Sequence, residues 1–226
     1  MTLPAEILRM HDVTRGFAEA SGFHMALRRV NLAVAEGEFL AITGPSGSGK
    51  TTLLHLAAFL DRPTSGRIWF DGRDTSSMGD SELSVLRKHK IAMVFQNYVL
   101  LPYRSVLENV IFRFRYMEHD RTEAAALARE AIAKMGLIGL EGRTARRLSA
   151  GEMQRVAIAR AIVRPPRLLA ADEPTGNLDR ASATVIMESL GELHRSGITI
   201  LLVTHNEDLL AYATRHIICK DGTIEG

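Results

Sequence analysis

The chain has 226 residues, with 28 Lys+Arg against 26 Asp+Glu, 46% hydrophobic and 24% charged residues and a single cysteine. That length allows one large domain, or a core with a smaller subdomain, around a sizeable apolar interior, and one cysteine excludes an internal disulfide framework and favours a reducing compartment. A formal net charge of +2 is too small to mark a nucleic-acid surface even with a sequence pI of about 8.8, and no segment reaches the roughly 18 uninterrupted apolar residues of a membrane span. Residues 1–17 include Glu6, Arg9, Asp12 and Arg15 and lack the apolar run of a signal peptide, so any membrane contact is expected to be peripheral. Val30, Leu32 and Val34 alternate with polar or small residues, as in a half-buried strand, and Gly37 turns the chain into the apolar run 39–42. Further apolar runs at 91–95, 168–171 and 198–203 suit strands buried on both faces of a parallel sheet. Between them, Ala128, Ala131, Ile132 and Met135 recur at i, i+3, i+4 and i+7 and predict an amphipathic helix ended by Gly136. Ala183, Ile186, Leu190 and Leu193 repeat that pattern before Gly197. Alternating strands and helices imply a doubly wound α/β core. The stretch 97–164 has helical patterns and no strand candidate, so it is expected to be a helical subdomain inserted between the core segments 1–96 and 165–226.

The chemistry concentrates in three places. Gly44-Pro45-Ser46-Gly47-Ser48-Gly49-Lys50-Thr51 follows an apolar strand and opens a helical pattern through Leu53, Leu54 and Leu56, which is the context of a P-loop. Its glycines let backbone N–H groups converge on phosphate oxygens, Lys50 reaches the terminal phosphates and the Thr51 hydroxyl can ligate Mg²⁺. Gly44, Ser46, Gly47, Ser48, Gly49, Lys50, Thr51 and Thr52 are therefore the expected phosphate-binding set. The run 168–171 delivers Asp172 and Glu173 to a strand end. There, adjacent carboxylates on an extended chain face opposite ways, one to hold Mg²⁺ and the other to activate water. Pro174 is expected to keep Glu173 extended. In Leu148-Ser149-Ala150-Gly151-Glu152-Met153-Gln154-Arg155, Ser149 and Glu152 have capping-box spacing. A capped helix start with a glycine beside it is also an anion site. If Ser149 and Gly151 lie far from their own P-loop, the nucleotide they touch must belong to a second copy of the chain.

The P-loop, then Gln96 after an apolar strand, then 148–155, then Asp172-Glu173-Pro174-Thr175-Gly176-Asn177-Leu178-Asp179, then His205, resemble in order the Walker A, Q-loop, signature, Walker B, D-loop and H-switch of an ABC transporter ATPase. The likeness runs from about Ile7 to Gly222. Residues 61–66, 105–110 and 173–179 look most like the lipoprotein-releasing, macrolide-exporting and cell-division ATPases of that family. What the resemblance implies is a P-loop NTPase core with a mostly parallel sheet, an N-terminal antiparallel β region and an inserted helical subdomain carrying the signature. It implies an ATPase that uses ATP and Mg²⁺. Its partners would be a second copy of itself in an ATP-dependent head-to-tail dimer and an integral membrane permease, with no nucleic acid and no direct membrane insertion. It implies a cytoplasmic protein, peripheral on the inner face of the cell membrane through that permease. Residue by residue, Gln96 would sense the nucleotide through Mg²⁺ and water, and Asp172 and Thr51 would complete the metal's protein ligands. Glu173 would be the catalytic carboxylate, while His205 and Lys50 would hold the γ-phosphate. Asp179 would contact the opposing subunit. Phe17 would stack on adenine, a role that competes with a place in the core.

Ala150 stands where the signature commonly has glycine and Glu152 where glutamine is commoner. Glu152 is expected to point back to its capping partner rather than toward a polyphosphate. His216 and Cys219 lack further ligands at zinc spacing, and Arg143, Arg146 and Arg147 read as a solvated face in preference to a membrane or partner contact. The apolar stretch 98–103 beside Gln96 suits either helical-subdomain core or a groove for a permease coupling helix. An alternative function is a cell-division-type ATPase that signals through a membrane partner to cell-wall enzymes without transport. A DNA-associated ABC ATPase is disfavoured, since such proteins insert long coiled coils or zinc modules.

Overall fold

The computed structural model describes residues 5–19 and 22–225. In chain order the elements are β1 (Glu6–Glu19), β2 (Gly22–Ala35), β3 (Phe39–Thr43), α1 (Lys50–Ala57), β4 (Ser65–Phe70), β5 (Arg73–Asp74), α2 (Asp80–His89), β6 (Ile91–Val94), α3 (Val106–Ile111), α4 (Arg121–Lys134), α5 (Ala150–Ile162), β7 (Leu168–Asp172), α6 (Arg180–Arg195), β8 (Thr199–Val203), β9 (Arg215–Lys220) and β10 (Thr223–Glu225). A four-stranded antiparallel sheet runs β2-β1-β4-β5, and a six-stranded sheet runs β10-β9-β3-β8-β7-β6, with β10 alone antiparallel. Residues 97–164 contribute helices and no strand to either sheet, among the described residues.

The two-residue period of the strands divides the interior into two layers. Leu40, Ile42, Leu168, Ala170, Leu201 and Val203 face β1, β2, β4 and α1, where they join Leu8, Val30, Leu53 and Phe70. Their neighbours Phe39, Leu169, Ala171, Ile200 and Leu202 face the opposite way, into one core with Val110, Ile132, Ile158 and Ile186 from α3, α4, α5 and α6. All of these side chains are buried, which is why these strands read as unbroken apolar runs instead of alternating ones. The helices of 97–164 thus share their core with one face of the sheet. The α5 helix packs on α3 and α4, and also on β6 and α6.

The register sets the site. Ile42 pairs with Val203 and Val203 with Asp172, while Val94 pairs with Ala171, one residue before Asp172. Four parallel strands therefore end together, and the loops after β3, β6, β7 and β8 leave the sheet along one edge. This is where open α/β sheets bind ligands. The predicted helices end where Gly136 and Gly197 adopt φ of 63° and 96°, a left-handed turn that only glycine takes without strain.

One expectation fails at this edge. Glu173 is not extended: its φ is +44°, so the strand stops at Asp172. A proline ahead disfavours the right-handed helical region for the residue before it, but the left-handed turn stays open, and the Glu173 N–H still donates to Val203 O at 2.9 Å. Asp172 and Glu173 do diverge, through this backbone turn and not through strand alternation. His216 and Cys219 lie on β9, where an odd spacing puts side chains on opposite faces. His216 Nε2 meets Thr43 Oγ1 at 2.6 Å and the Cys219 thiol donates to Ser48 O at 3.0 Å.

Candidate functional site

The P-loop is shaped by what surrounds it. A Cβ on Gly44 would run into the Cys219 carbonyl oxygen of β9, and one on Gly49 into the Ala26 carbonyl oxygen of β2. Both residues also have positive φ, at 140° and 105°, so glycine is required twice over. The Lys50 side chain is buried, donating to Gly44 O and Pro45 O at 2.8 Å each. It thereby spans the inside of the loop it is expected to vacate for phosphate. Ser46 and Gly47 are exposed at the loop tip, Thr52 is half-buried on α1, and the Ser48 hydroxyl is buried with no partner among the described residues.

Register brings the next pair together: Thr51 Oγ1 donates to Asp172 Oδ1 at 3.3 Å, bridging α1 and β7 across 121 residues of sequence. Burial pushes the Asp172 carboxyl above its ordinary range and the neighbouring charge of Glu173 adds to this, against the pull of the Thr51 hydroxyl, His55 and Lys50. A carboxylate held in this way suits a cation. The fit to Mg²⁺ is sound on the donor set. Asp172 carboxylate, Thr51 hydroxyl and Gln96 amide are all hard oxygen ligands, and no group of three or more His, Cys, Asp or Glu competes for a softer metal among the described residues. An ion with one carboxylate and little other protein ligation takes its remaining oxygens from phosphate and water, which is how Mg²⁺ is ordinarily held.

On the other side of the turn, His205 Nδ1 donates to Glu173 Oε2 at 2.9 Å. The histidine follows β8 and the glutamate β7, and the pairing of Asp172 with Val203 brings the two together. Gln96, in the loop after β6, joins them at Gly176: a Cβ there would lie 2.9 Å from Gln96 Nε2 and 3.3 Å from Glu173 Oε2. Gly176 is thus the floor on which two expected site residues, Gln96 and Glu173, converge, with His205 bonded to the second of them. Sequence reasoning passed over it, although a glycine three residues after the glutamate was the available signal. A cavity of about 470 Å³ opens beside Glu173 and His205, walled by Gly176, Arg180, Asn206 and Tyr212.

Phe17 sits half-buried on β1, opposite His24 of β2. It is neither core nor free on both faces. The Arg15 guanidinium lies 4.4 Å from its ring centroid, held in turn by Asp61 at 2.7 Å. Since Ala26 of the same strand abuts Gly49, Phe17 stands at the P-loop end of the β1–β2 pair with one ring face already covered.

Ser149 and Gly151 are elsewhere. Ser149 caps α5, accepting from Glu152 N at 3.3 Å while Glu152 Oε2 accepts from Ser149 N at 2.7 Å. That backbone N–H, with Arg143 3.7 Å away, holds the Glu152 carboxyl below the usual range. Glu152 therefore points back to its cap, and Arg143, Arg146 and Arg147 are all exposed, with Arg143 reaching Glu152 and Arg146 lying 5.6 Å from the Tyr103 ring centroid along that surface. Gly151 packs on the start of α6, where a Cβ would be 2.9 Å from Ser182 Oγ. Ser182 in turn donates to Asp179 through its N–H at 3.0 Å and its hydroxyl at 2.7 Å. Asp179 thus caps α6 directly beneath the signature glycine. No hydrogen bond joins Ser149, Gly151 or Asp179 to residues 44–51 among the described residues. The stretch 98–103 is surface more than core, with Val99 64% and Tyr103 77% exposed.

Comparison with known proteins gives a concordant answer. The family model described as "ABC transporter" matches residues 27–176. The lipoprotein-releasing system ATP-binding protein LolD of Geobacter metallireducens is 44% identical over 221 residues, covering 97% of this chain and 98% of that protein. The macrolide export ATP-binding/permease protein MacB of Agrobacterium fabrum is 39% identical over 99% of this chain, which spans 34% of that longer protein. Among solved structures, an ATP-binding cassette captured as a dimer in a post-hydrolysis state with ADP and Pi superposes with a TM-score of 0.89, at 37% identity and 97% coverage of both chains.

Proposed function

The chain belongs to the ABC transporter family as a subunit that binds and hydrolyses ATP, and from that premise we propose that it works as half of a head-to-tail, ATP-dependent pair whose closing and opening drive a membrane permease. The observation that carries this reading is the division of the site. Lys50, the Thr51–Asp172 pair and the Glu173–His205 pair converge at one sheet edge. Ser149 and Gly151 are built on a helix that packs on α3, α4 and α6. A capped helix start with no hydrogen bond to its own P-loop among the described residues would find a phosphate in a second copy. The similar cassette solved as a dimer with ADP and Pi supports a pair.

In this reading Lys50 leaves Gly44 O and Pro45 O for the β- and γ-phosphates, and the P-loop N–H groups hold the rest. Thr51, Asp172 and Gln96 hold Mg²⁺, which when bound neutralises phosphate charge. Glu173 orients a water and accepts its proton as the water oxygen bonds to the γ-phosphorus and the bond to the ADP oxygen breaks. His205, released from Glu173 on the nucleotide side, and Lys50 stabilise the charge that develops. Phe17 offers its uncovered face to adenine. Because ATP binds the closed pair better than ADP does, loss of phosphate shifts the population toward the open one. The names of the relatives point to cargo of the export or lipoprotein-release type. The permease docks at the groove beside Gln96, where Val99 and Leu101 leave apolar surface uncovered. No helix of the described residues is long and apolar enough to cross a membrane, so the permease supplies the spanning part.

Glu173→Gln tests this. Turnover should fall roughly 10²-fold or more with ATP binding retained, and the variant should accumulate as an ATP-bound dimer, read by light scattering. A fully active variant, or one that stays monomeric at saturating ATP, would overturn it.

A further inference from the structure

Next to Gln96 the surface forms a groove of about 480 Å³ between α2, α5 and the 3-10 turn Phe112–Tyr116. Its apolar lining is Met93, Phe95, Val99, Leu101, Phe112 and Met117. Four cations line it as well, Arg87, Lys88, Arg113 and Arg160, and no carboxylate does. None of the four has an ion pair among the described residues.

Three of them have structural work. Arg113 Nη2 donates to the carbonyls of Arg87, Lys88 and Ile91 at 3.1, 3.2 and 2.8 Å, closing the C-terminal end of α2. Arg160 donates to Val99 O at 2.8 Å and Tyr98 O at 3.2 Å, and Arg87 to Phe59 O at 2.8 Å. Carbonyls satisfy these donors with partial charges only. Lys88, Arg113 and Arg160 keep their full positive charge without an ion pair among the described residues, Arg87 has only the more distant Asp80 charge, and the buried Arg113 Nε has no hydrogen-bond partner among the described residues. Burial, and then repulsion from Arg160, pulls the Arg113 guanidinium below its ordinary range, and burial alone does the same to Arg160. Partly buried cations crowded without a counter-charge are unfavourable until one arrives. Two other half-buried arginines are neutralised, Arg15 by Asp61 and Arg167 by Glu36 and Asp71, whereas Arg155, like the groove arginines, is held by carbonyls.

We infer that the segment of the permease seated in this groove presents a carboxylate among apolar side chains, the carboxylate going to Arg113 and Arg160 and the apolar groups to Val99, Leu101 and Phe112. This rests on reading the groove as the place where the permease docks. It adds a rule for partner choice: apolar surface admits many helices, whereas four unpaired cations admit an acidic one and repel a basic one.

Two fluorescent amphipathic peptides with identical apolar faces, one carrying glutamates beside that face and the other glutamines, test it by anisotropy. Binding in the groove is read independently by shielding of a dye on the thiol introduced by Val99→Cys, since Cys219 is buried. The glutamate peptide should bind about tenfold more tightly, which is about 1.4 kcal/mol, and the advantage should shrink in high salt. Arg160→Gln should reduce it to about twofold. Because Arg160 also holds the loop at Val99, Lys88→Glu provides the second variant. Lys88 makes no side-chain hydrogen bond or ion pair among the described residues, and its replacement should invert the preference toward a lysine peptide. Equal affinities with the dye shielded would overturn the carboxylate and leave the docking groove standing. Failure of every peptide to shield the dye would overturn the groove itself, and shielding by phosphatidylglycerol vesicles alone would assign it to a lipid surface instead.

Discussion

Gly176→Ala should separate catalysis from folding in this chain. The added methyl carbon would sit 2.9 Å from Gln96 Nε2 and 3.3 Å from Glu173 Oε2, where comfortable contact begins at about 3.5 Å. Gln96 must therefore retreat by about half an ångström and Glu173 by less. Both are flexible ends, so the chain can accommodate the methyl. The backbone poses no obstacle, since Gly176 is not among the residues with positive φ, and alanine there lowers the entropy of the unfolded chain by about 0.4–1 kcal/mol in favour of folding. Displacing a reacting group by up to about 1 Å costs as much as 10² in rate, so turnover should fall about 10- to 100-fold. No P-loop atom is touched, and ATP affinity should hold. Phosphate release and thermal melting measured on the same preparation decide the matter. Turnover within about twofold of the parent would refute the convergence of Gln96 and Glu173 as a source of rate, and melting lowered by more than about 4 °C would show that the glycine serves packing instead.

Ser149→Ala removes the acceptor for Glu152 N and should lower stability by about 1 kcal/mol, or about 2–4 °C in melting for a chain of this size; Ser149→Arg should abolish turnover while an isolated monomer still binds nucleotide in an equilibrium titration. Because burial raises the Asp172 carboxyl above 3.8, the folded chain binds that proton more tightly than the unfolded one. Its contribution to stability is complete below 3.8 and is lost as pH rises through the raised value. Nucleotide-free Asp172→Asn should accordingly melt higher than the parent at neutral pH and converge with it in acid, and a lower melting temperature at neutral pH would contradict the burial argument. Chelation by EDTA should stop phosphate release and leave the melting of the nucleotide-free chain unchanged; a chelator-resistant turnover would count against Thr51, Asp172 and Gln96 as a metal-holding set.

Much of this molecule is legible in one dimension because its signals are local. The strand runs at 39–42, 91–95, 168–171 and 198–203 fall within a residue of β3, β6, β7 and β8, since burial on both faces leaves no polar position to blur the pattern. The positive-φ turns at Gly44 and Gly49 are local signals, although the tertiary approach of Cys219 O and Ala26 O requires glycine there a second time, and the Ser149–Glu152 cap needs only neighbours in sequence. Harder to read were β1, β4 and α2. The first has register shifts between Met10 and Arg15 that break alternation, and α2 buries only Leu83, so its apolar stripe is faint.

What the order of residues could not decide is which atoms meet. Thr51 and Asp172 are 121 residues apart, and their contact exists because α1 packs on β7. The left-handed turn at Glu173 sends its carboxylate to His205 where an extended chain was expected, because the sheet ends there and the proline permits it. The four groove cations come from three separate elements, and nothing in their spacing marks them as neighbours. Local chemistry writes a motif into the chain, whereas strand register and helix packing, which depend on burying two apolar layers at once, determine where its charges are left without a partner.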